Sequence, residues 1–450
     1  MADEDVPNSP QPTAEQRPAA AELKERSTKA TNSLYRVFWR WHFYAGIVCA
    51  PIFLTVTITG AIYVFKDELE HSFGGDHLFV TQGESRTSYD QQLAAARTAL
   101  AAQGVSDVDL RFLILSPDEN RSTLIYAREK TNRSKRYEIF VDPFTGKVLL
   151  LRGADTGFFR IVLLLHRRLM LGKPGRVVVE LVTCWSVILL VTGLYLWWPR
   201  GKKNAGTFFP RLRTKKRYVL YRDLHAVPAA YCWILSMLIV ATGLFFTLVW
   251  GTGFLLMGVV TGHLNPDILL PPAVESVEGK EPLSVDEVVQ LLAPVRGDLP
   301  MELHLSTDSS LGYLAIFFDP ERVTSARSAM VDQHQGEIVK RIDLVDAPAV
   351  YQTRVYALTI HTGTIFGTPT KIAAFVASLV LIASCVTGLM MWWKRRPSGT
   401  WGIPRGRLNL PVPWPLLILS CLLGLLMPIF GLSLLLILGG EKLASRRSNH

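Results

Sequence analysis

Cysteine is scarce in this chain of 450 residues, and it is confined to apolar stretches. The five cysteines are Cys49, Cys184, Cys232, Cys385 and Cys421. The polar segments can therefore hold no disulfide, and the chain has no thiolate metal site and no Cys-x-x-Cys redox pair. The polar parts have to fold by packing alone.

A second absence concerns nucleotide binding. No Gly-x-Gly-x-x-Gly sequence follows a strand pattern in the short basic segments of the chain, and these segments are too short for a flavin domain. The chain is therefore expected to carry no nicotinamide or flavin domain of its own.

Acidic residues are nearly missing from two short basic segments. The segment 199–225 has nine Lys or Arg and one acid, Asp223, while 394–411 has five Lys or Arg and no acid. Each segment adjoins an apolar run, which disfavours nucleic acid as the partner. Short basic loops stay in the cytoplasm, so we expect the N-terminus inside and the long polar insertions outside.

Hydrophobic residues make up 49% of the chain and charged residues 19%, which predicts a membrane part joined to an external part. Apolar runs long enough to cross a bilayer occupy about 43–65, 176–198, 227–255, 370–393 and 412–438. The first run is too long for a signal peptide and lacks a cleavage site, so it should remain in the mature protein. We expect four core spans and a C-terminal hydrophobic segment, which crosses once or bends into a hairpin.

These boundaries give the following predicted organisation, from the N-terminus: a disordered cytoplasmic tail (1–36), the first span (37–65), an external α+β domain (66–165), an outer helix with the second span (166–198), a basic loop (199–225), the third span (226–255), a second external α+β domain (256–360), an outer helix with the fourth span (361–393), a basic loop (394–411), the C-terminal hydrophobic segment (412–438) and a tail (439–450).

The two external insertions repeat one plan. Ser88 and Ser284 are each placed to cap a helix, and short β-type runs follow. In each insertion an Asp precedes a Gly by four residues, Asp142 to Gly146 and Asp332 to Gly336, which predicts a hairpin.

Histidines recur at fixed spacing from other residues. After His166 and His361, Gly follows at plus 6, Pro at plus 8, Thr-Gly at plus 26 and Trp-Trp at plus 31. His42 and His225 each precede a Thr-Gly by 17 residues. The spacing indicates a tandem duplication with parallel copies, which places His42 opposite His225 at one depth and His166 opposite His361 at another.

Together these features resemble the bacterial PepSY-associated transmembrane family, and within it the ferric-siderophore reductases of the inner membrane. The resemblance covers about Val37 to Arg396. It implies about two haem b groups per chain, with His42 and His225 as axial iron ligands of one, and His166 and His361 of the other. It also implies a haem-dependent oxidoreductase that reduces ferric siderophores or other ferric chelates in the periplasm, with electrons from a quinol or a cytoplasmic reductase.

Six arginines lie near these histidines and are candidate partners for haem propionates. They are Arg36, Arg40, Arg222, Arg167, Arg168 and Arg354. The first three also fit the ordinary cytoplasmic excess of positive charge, and the others fit contact with lipid headgroups.

Other readings remain open on the sequence alone. The histidines could be interfacial residues without a ligand, or a metal site, although the spans lack the carboxylates that would complete one. The whole chain could be a transporter, but its spans have almost no charged residue at mid-depth. It could also be a sensor or an anchor without haem, and the colour of the pure protein would separate that reading from a reductase.

Overall fold

The computed structural model of the protein describes residues 16–200, 206–265, 270, 273–274, 281–305, 310–397, 399 and 414–447, with side chains from residue 34 to residue 440 within these ranges. A helical bundle carries an α/β part, which is formed by the two long polar insertions and is called the external part after its predicted location. The bundle contains α1 (Gln16–Val64), α5 (Gly172–Trp197), α6 (Arg217–Tyr231), α7 (Trp233–Gly243) and α11 (Thr368–Arg395). Three stretches are each long and apolar enough to cross a membrane: Leu34–Val64, Gly172–Trp197 and Thr368–Arg395.

The third expected span is not one straight helix. Helices α6 and α7 would cross as a pair, but they meet at an angle of 74°. Pro228 lies in the last turn of α6, where it removes a backbone donor and weakens the helix. The apolar run 227–255 also breaks again at Thr247, beyond which α8 (Val249–Val260) begins.

A buried carboxylate explains how α8 can start inside the bundle. Glu180 on α5 is 1% exposed, and its two oxygens accept hydrogen bonds of 2.7 and 2.8 Å from the backbone nitrogens of Val249 and Trp250. The carboxylate satisfies two free donors at the start of α8 and lies at the positive end of the helix dipole. No sequence pattern predicts this contact of Glu180.

The C-terminal apolar segment bends into a hairpin of α12 (Trp414–Leu426) and α13 (Pro428–Arg447). A Cβ atom on Gly431 would lie 2.7 Å from the carbonyl oxygen of Gly424, although a straight helix would hold residues seven apart at about 10 Å. The chain reverses at Met427, and α13 packs on α5 through Trp185, whose indole nitrogen donates to the hydroxyl of Ser433 at 3.1 Å.

A further expectation, the disordered N-terminal tail, is corrected by the structure. Helix α1 already begins at Gln16, so residues 16–36 are helical and not disordered, in keeping with their Ala, Glu and Lys content. Residues 1–15 of the expected tail lie outside the described part of the chain.

The external insertions do not form separate domains. The first contains α3 (Tyr89–Ala102), β1 (Val108–Leu115), β2 (Thr123–Glu129), β3 (Arg136–Val141) and β4 (Val148–Gly153). The second contains α9 (Val285–Arg296), β5 (Met301–His304), β6 (Tyr313–Phe317), β7 (Arg327–Asp332) and β8 (Glu337–Asp343). Strands β1 and β5 pair antiparallel, which gives one eight-stranded sheet in the order β4-β3-β2-β1-β5-β6-β7-β8.

The two halves of this sheet share a core. Leu113 on β1 and Leu303 on β5 are paired, fully buried and part of one apolar cluster that includes residues of α3 and α9. The helices also meet at their N-termini, where the Asp286 carboxylate accepts hydrogen bonds from the backbone nitrogens of Tyr89 and Asp90. The helix caps at Ser88 and Ser284 and the Gly146 and Gly336 turns, each with positive φ, are confirmed.

Two helices connect the edges of this sheet to the bundle. Strand β4 leads into α4 (Phe158–Arg168), and β8 leads through a short turn into α10 (Ala349–Thr362). Helix α4 carries His166 and α10 carries His361. The sheet is thus tied through its two outermost strands to the helices that bear these histidines.

Replacement of Leu303 by Ala should destabilise the whole sheet, because it leaves a cavity at the seam between the two insertions. We expect a cost of about 2–5 kcal/mol, measured as faster amide exchange in both β1 and β5. Val339→Ala on β8 is the matched control, since Val339 is 58% exposed and its truncation should cost less than about 0.5 kcal/mol. Faster exchange in β5 alone would mean that the two insertions are independent.

Candidate functional site: two facing histidine pairs

The first candidate site is a pair of imidazoles at the end of the bundle that carries the basic loops. The ring centroids of His42 on α1 and His225 on α6 are 6.1 Å apart, and the ring planes are almost perpendicular at 89°. We call this pair the loop-side pair.

The second site has the same form at the other end of the bundle, next to the sheet. The centroids of His166 on α4 and His361 on α10 are 5.9 Å apart, with an angle of 54° between the rings. We call this the sheet-side pair. The structure therefore brings together the same two pairs that the repeat spacing predicts.

Each imidazole is fixed through its Nδ1 atom. Three of these atoms lie 2.8 Å from a backbone carbonyl oxygen of a neighbouring helix: His166 with Val56, His225 with Ser384 and His361 with Ile239. A carbonyl can only accept, so Nδ1 has to carry the proton in these contacts. The Nε2 atom is then left with its lone pair, which is the form that binds a metal.

His42 is held in the same manner with one variation. Its Nδ1 atom lies 3.0 Å from the hydroxyl oxygen of Thr192, and the Leu189 carbonyl also accepts a hydrogen bond from the ring. Leu189 lies four residues before the glycine of a Thr-Gly pair, and the carbonyl partners of the other three histidines have the same position.

The Thr-Gly pairs make this contact possible. A Cβ atom on the glycine would lie within 3.4 Å of the imidazole Cε1 atom in each case, for Gly193 and His42, Gly60 and His166, Gly388 and His225, and Gly243 and His361. A helix residue with a side chain would push the ring away from the carbonyl four residues earlier. Glycine is therefore required by close approach and not by its φ angle.

The threonines complete the local arrangement. Each hydroxyl donates to the carbonyl four residues earlier in its own helix, at 2.6–2.7 Å, for Thr59, Thr192, Thr242 and Thr387. The hydroxyl is thereby satisfied inside the bundle, and such bonds bend a helix slightly. The sequence did not reveal that each Thr-Gly pair supports a histidine of a neighbouring helix.

Two of the three arginines expected beside the loop-side pair have other contacts. Arg36 is exposed, and Arg40 lies over the ring of Tyr44 at 5.8 Å. Arg222 is 2.6 Å from Asp223, a fully buried carboxylate that also binds Arg211 at 2.7 Å. Asp223 thus anchors Arg211 of the basic loop on α6, and Arg222 also donates to the carbonyl of Gly206 in that loop at 3.4 Å, contacts that the sequence did not predict.

The arginines expected beside the sheet-side pair lie on the helices that carry its histidines. Arg354 is placed over the ring of Phe246 at 5.7 Å, and Phe246 lies 6.0 Å from the ring of His361. Arg168 is 3.8 Å from Asp155, and Arg167 is exposed. Phe246 was missed by the sequence analysis, because the break after α7 that brings it next to α10 has no clear sequence signal.

The described residues do not form a metal site from protein ligands alone. Among the described residues there is no group of three or more His, Cys, Asp or Glu side chains that could hold an ion. Each site offers two nitrogen ligands on opposite sides, so a bound metal would need its remaining ligands from another molecule.

The chain matches the family model for the PepSY-associated TM region over residues 39–395. It therefore belongs to this family, a family of membrane proteins, and the resemblance seen in the sequence is confirmed. A search of curated proteins finds no match to the chain.

The two sites fit the haem that the family resemblance implies. An iron atom bound to two Nε2 atoms at about 2 Å would hold the ring centroids roughly 6 Å apart, close to the 6.1 and 5.9 Å observed. The Nδ1 contacts leave Nε2 available on both rings, and a macrocycle supplies the equatorial nitrogens that the protein lacks.

Replacement of Gly243 by Ala should weaken haem binding at the sheet-side pair, because the new methyl group would lie 2.9 Å from Cε1 of His361. A ring forced off its rotamer costs about 0.5–1.5 kcal/mol, which corresponds to roughly two- to tenfold lower affinity. Haem titration of the purified protein measures this. Gly253→Ala is the control, since nothing lies within 4 Å of the added methyl group. Equal affinity in both variants would contradict the proposed role of the Thr-Gly pairs.

Proposed function

We propose that the protein is a haem b electron-transfer protein of the bacterial inner membrane, and that it reduces ferric siderophores or other ferric complexes in the periplasm. The observation that carries this proposal is the pair of facing imidazoles at each end of the bundle, each with Nδ1 bound and Nε2 available. Two such sites at two depths suit the transfer of electrons across a membrane.

The separation of the two sites supports a transmembrane path. Gly60, which packs on His166, lies 18 residues after His42 on the continuous helix α1. At about 1.5 Å per residue, the two pairs are roughly 27 Å apart along the bundle, close to the thickness of the hydrocarbon core. Haem, when bound, would supply a one-electron redox centre at each pair.

The charge distribution supports the direction of transfer. The basic segments 199–225 and 394–411 adjoin the loop-side end, so we place this end and the N-terminus in the cytoplasm. The sheet and the sheet-side pair are then periplasmic. Electrons would enter at the loop-side pair from a quinol or a cytoplasmic reductase and leave at the sheet-side pair.

We also propose that the bundle is a parallel 2+2 repeat. His42 packs on α5 and His166 packs on α1, while His225 packs on α11 and His361 packs on α7. The contacts of the first copy are thus repeated by the second copy. Each copy contributes one imidazole to each site, as a twofold relation along the membrane normal requires.

The buried charges of the bundle do not favour a transporter. Glu180 caps α8 and Asp223 binds two arginines. Lys371, at the start of α11, lies 2.9 Å from both Glu68 and Glu321. These three charges have structural partners, whereas a carrier would need a charge that is free to meet its cargo.

We expect the purified protein to contain about two b-type haems per chain, both low-spin with two histidine ligands. The measurements are haem content per chain and absorption spectra before and after dithionite. A protein that binds no haem when supplied with it would remove the basis of the proposed function.

The two histidine pairs should separate in variants. His361→Ala or His166→Ala should remove one haem and abolish reduction of an external ferric chelate, because the last carrier before the substrate is lost. His42→Ala or His225→Ala should remove the other haem and block entry from the cytoplasmic donor. These variants should keep a second haem that dithionite reduces and that still passes electrons to the chelate. Loss of the same haem in the His42 and His166 variants would show that the pairing is wrong.

A further inference from the structure

Arginines gather around the sheet-side pair in larger number than the sequence suggested. Arg167 and Arg168 directly follow His166 on α4, and Asp155 binds both Arg168 and Arg160 of the same helix. Arg176 is next to Gly175 on α5, and Gly175 packs on the backbone of Arg168. On α10, Arg354 lies over the ring of Phe246, which is 6.0 Å from the ring of His361. We call these five residues the arginine cluster.

Within the described part of the chain, one carboxylate forms ion pairs with the arginine cluster. Asp155 lies 2.9 Å from Arg160 and 3.8 Å from Arg168, and it is also 3.2 Å from Arg136 outside the cluster. Arg167 and Arg176 form no ion pair with any described residue. The cluster therefore keeps several positive charges that repel one another.

Arg354 has a buried side-chain nitrogen that could bind an anion. Its Nε atom is buried and has no hydrogen-bond partner among the described residues, although a buried guanidinium nitrogen left unpaired costs free energy. Arg354 lies seven residues, or two helical turns, before His361, so both side chains are on one face of α10. An anion bound at Arg354 would lie beside the sheet-side pair.

A single haem does not account for the charge. Five guanidinium groups and one carboxylate leave about four positive charges, and the two propionates of one haem would neutralise about two. Arginines in excess on the periplasmic side also run against the usual charge asymmetry of membrane proteins. The remaining charge needs another anion, and guanidinium groups bind carboxylates well.

We propose that the arginine cluster binds the ferric substrate and selects iron complexes that carry a net negative charge through carboxylate groups. The inference depends on the proposed function, since it names the substrate class of the sheet-side pair. Arg176 and Arg354 would contact the carboxylates of the chelate. The cluster would hold the complex near the sheet-side pair and raise its local concentration.

Binding is tested with gallium complexes, because gallium is not reduced and the measurement does not depend on electron transfer. The probes are anionic gallium EDTA and cationic gallium desferrioxamine B, titrated calorimetrically into the full-length protein. We expect the anionic complex to bind more tightly, and its affinity to fall with salt. In the double variant R176Q/R354Q it should bind about tenfold or more weakly, because two charge-assisted hydrogen bonds are lost.

The matched control is R97Q/R133Q, which removes the same charge from exposed positions of the external part. This variant should keep the affinity for gallium EDTA and the rate of chelate reduction. Equal weakening in the control would show that only net charge matters, and equal affinity for both gallium complexes would also overturn the proposal.

Two further measurements test whether the arginines bind the haem propionates or lipid headgroups instead of the chelate. Loss of the sheet-side haem from R176Q/R354Q, with gallium EDTA affinity unchanged in the haem-free protein, would assign the arginines to the propionates. Displacement of gallium EDTA by anionic phospholipid but not by a neutral lipid would assign them to headgroups. Either result would overturn the proposal. A protein without haem that still binds gallium EDTA selectively would refute the proposed function while leaving the anion site in place.

Discussion

The contact on which the sites depend is the hydrogen bond between an imidazole Nδ1 atom and a backbone carbonyl four residues before a glycine. Such a bond contributes only about 0.5–1.5 kcal/mol, so its main effect is on orientation and not on stability. It fixes the tautomer and the direction of the ring. The glycine leaves room for the imidazole ring to approach the helix. The threonine before it donates its hydroxyl hydrogen bond within its own helix, so that the Thr-Gly dipeptide leaves no polar group unsatisfied at the contact.

This contact explains why each site needs both halves of the chain. In the N-terminal half, α1 supports His166 and α5 supports His42; in the C-terminal half, α7 supports His361 and α11 supports His225. Each half thus orients two imidazoles but completes neither pair. The pairs form only where the two halves meet, and there Cys385 on α11 contacts the carbonyl of Ala50 on α1.

The sequence predicts those parts of the structure that depend on short-range patterns. The caps at Ser88 and Ser284 need only neighbouring residues, and the pairing of His42 with His225 follows from repeat spacing. The joining of β1 to β5 was not predictable, because alternation of buried residues shows which face of a strand is buried but not which strand lies beside it.

The effect of a proline on a helix could not be predicted from the sequence either. Pro51 lies inside α1, which remains one helix, whereas Pro228 lies just before the 74° bend between α6 and α7. The residue type is the same, so a proline alone does not decide whether a helix continues or bends. The arginine cluster was only partly predicted, since Arg176 reaches it from α5, whereas Arg160, Arg167 and Arg168 lie on α4.

Because α4 and α10 both leave the edges of one sheet, the distance between His166 and His361 also depends on the core shared by the two insertions. A continuous sheet resists changes in that distance better than two separate domains would, since close-packed cores deform little. The external part therefore acts as a rigid support for the sheet-side pair.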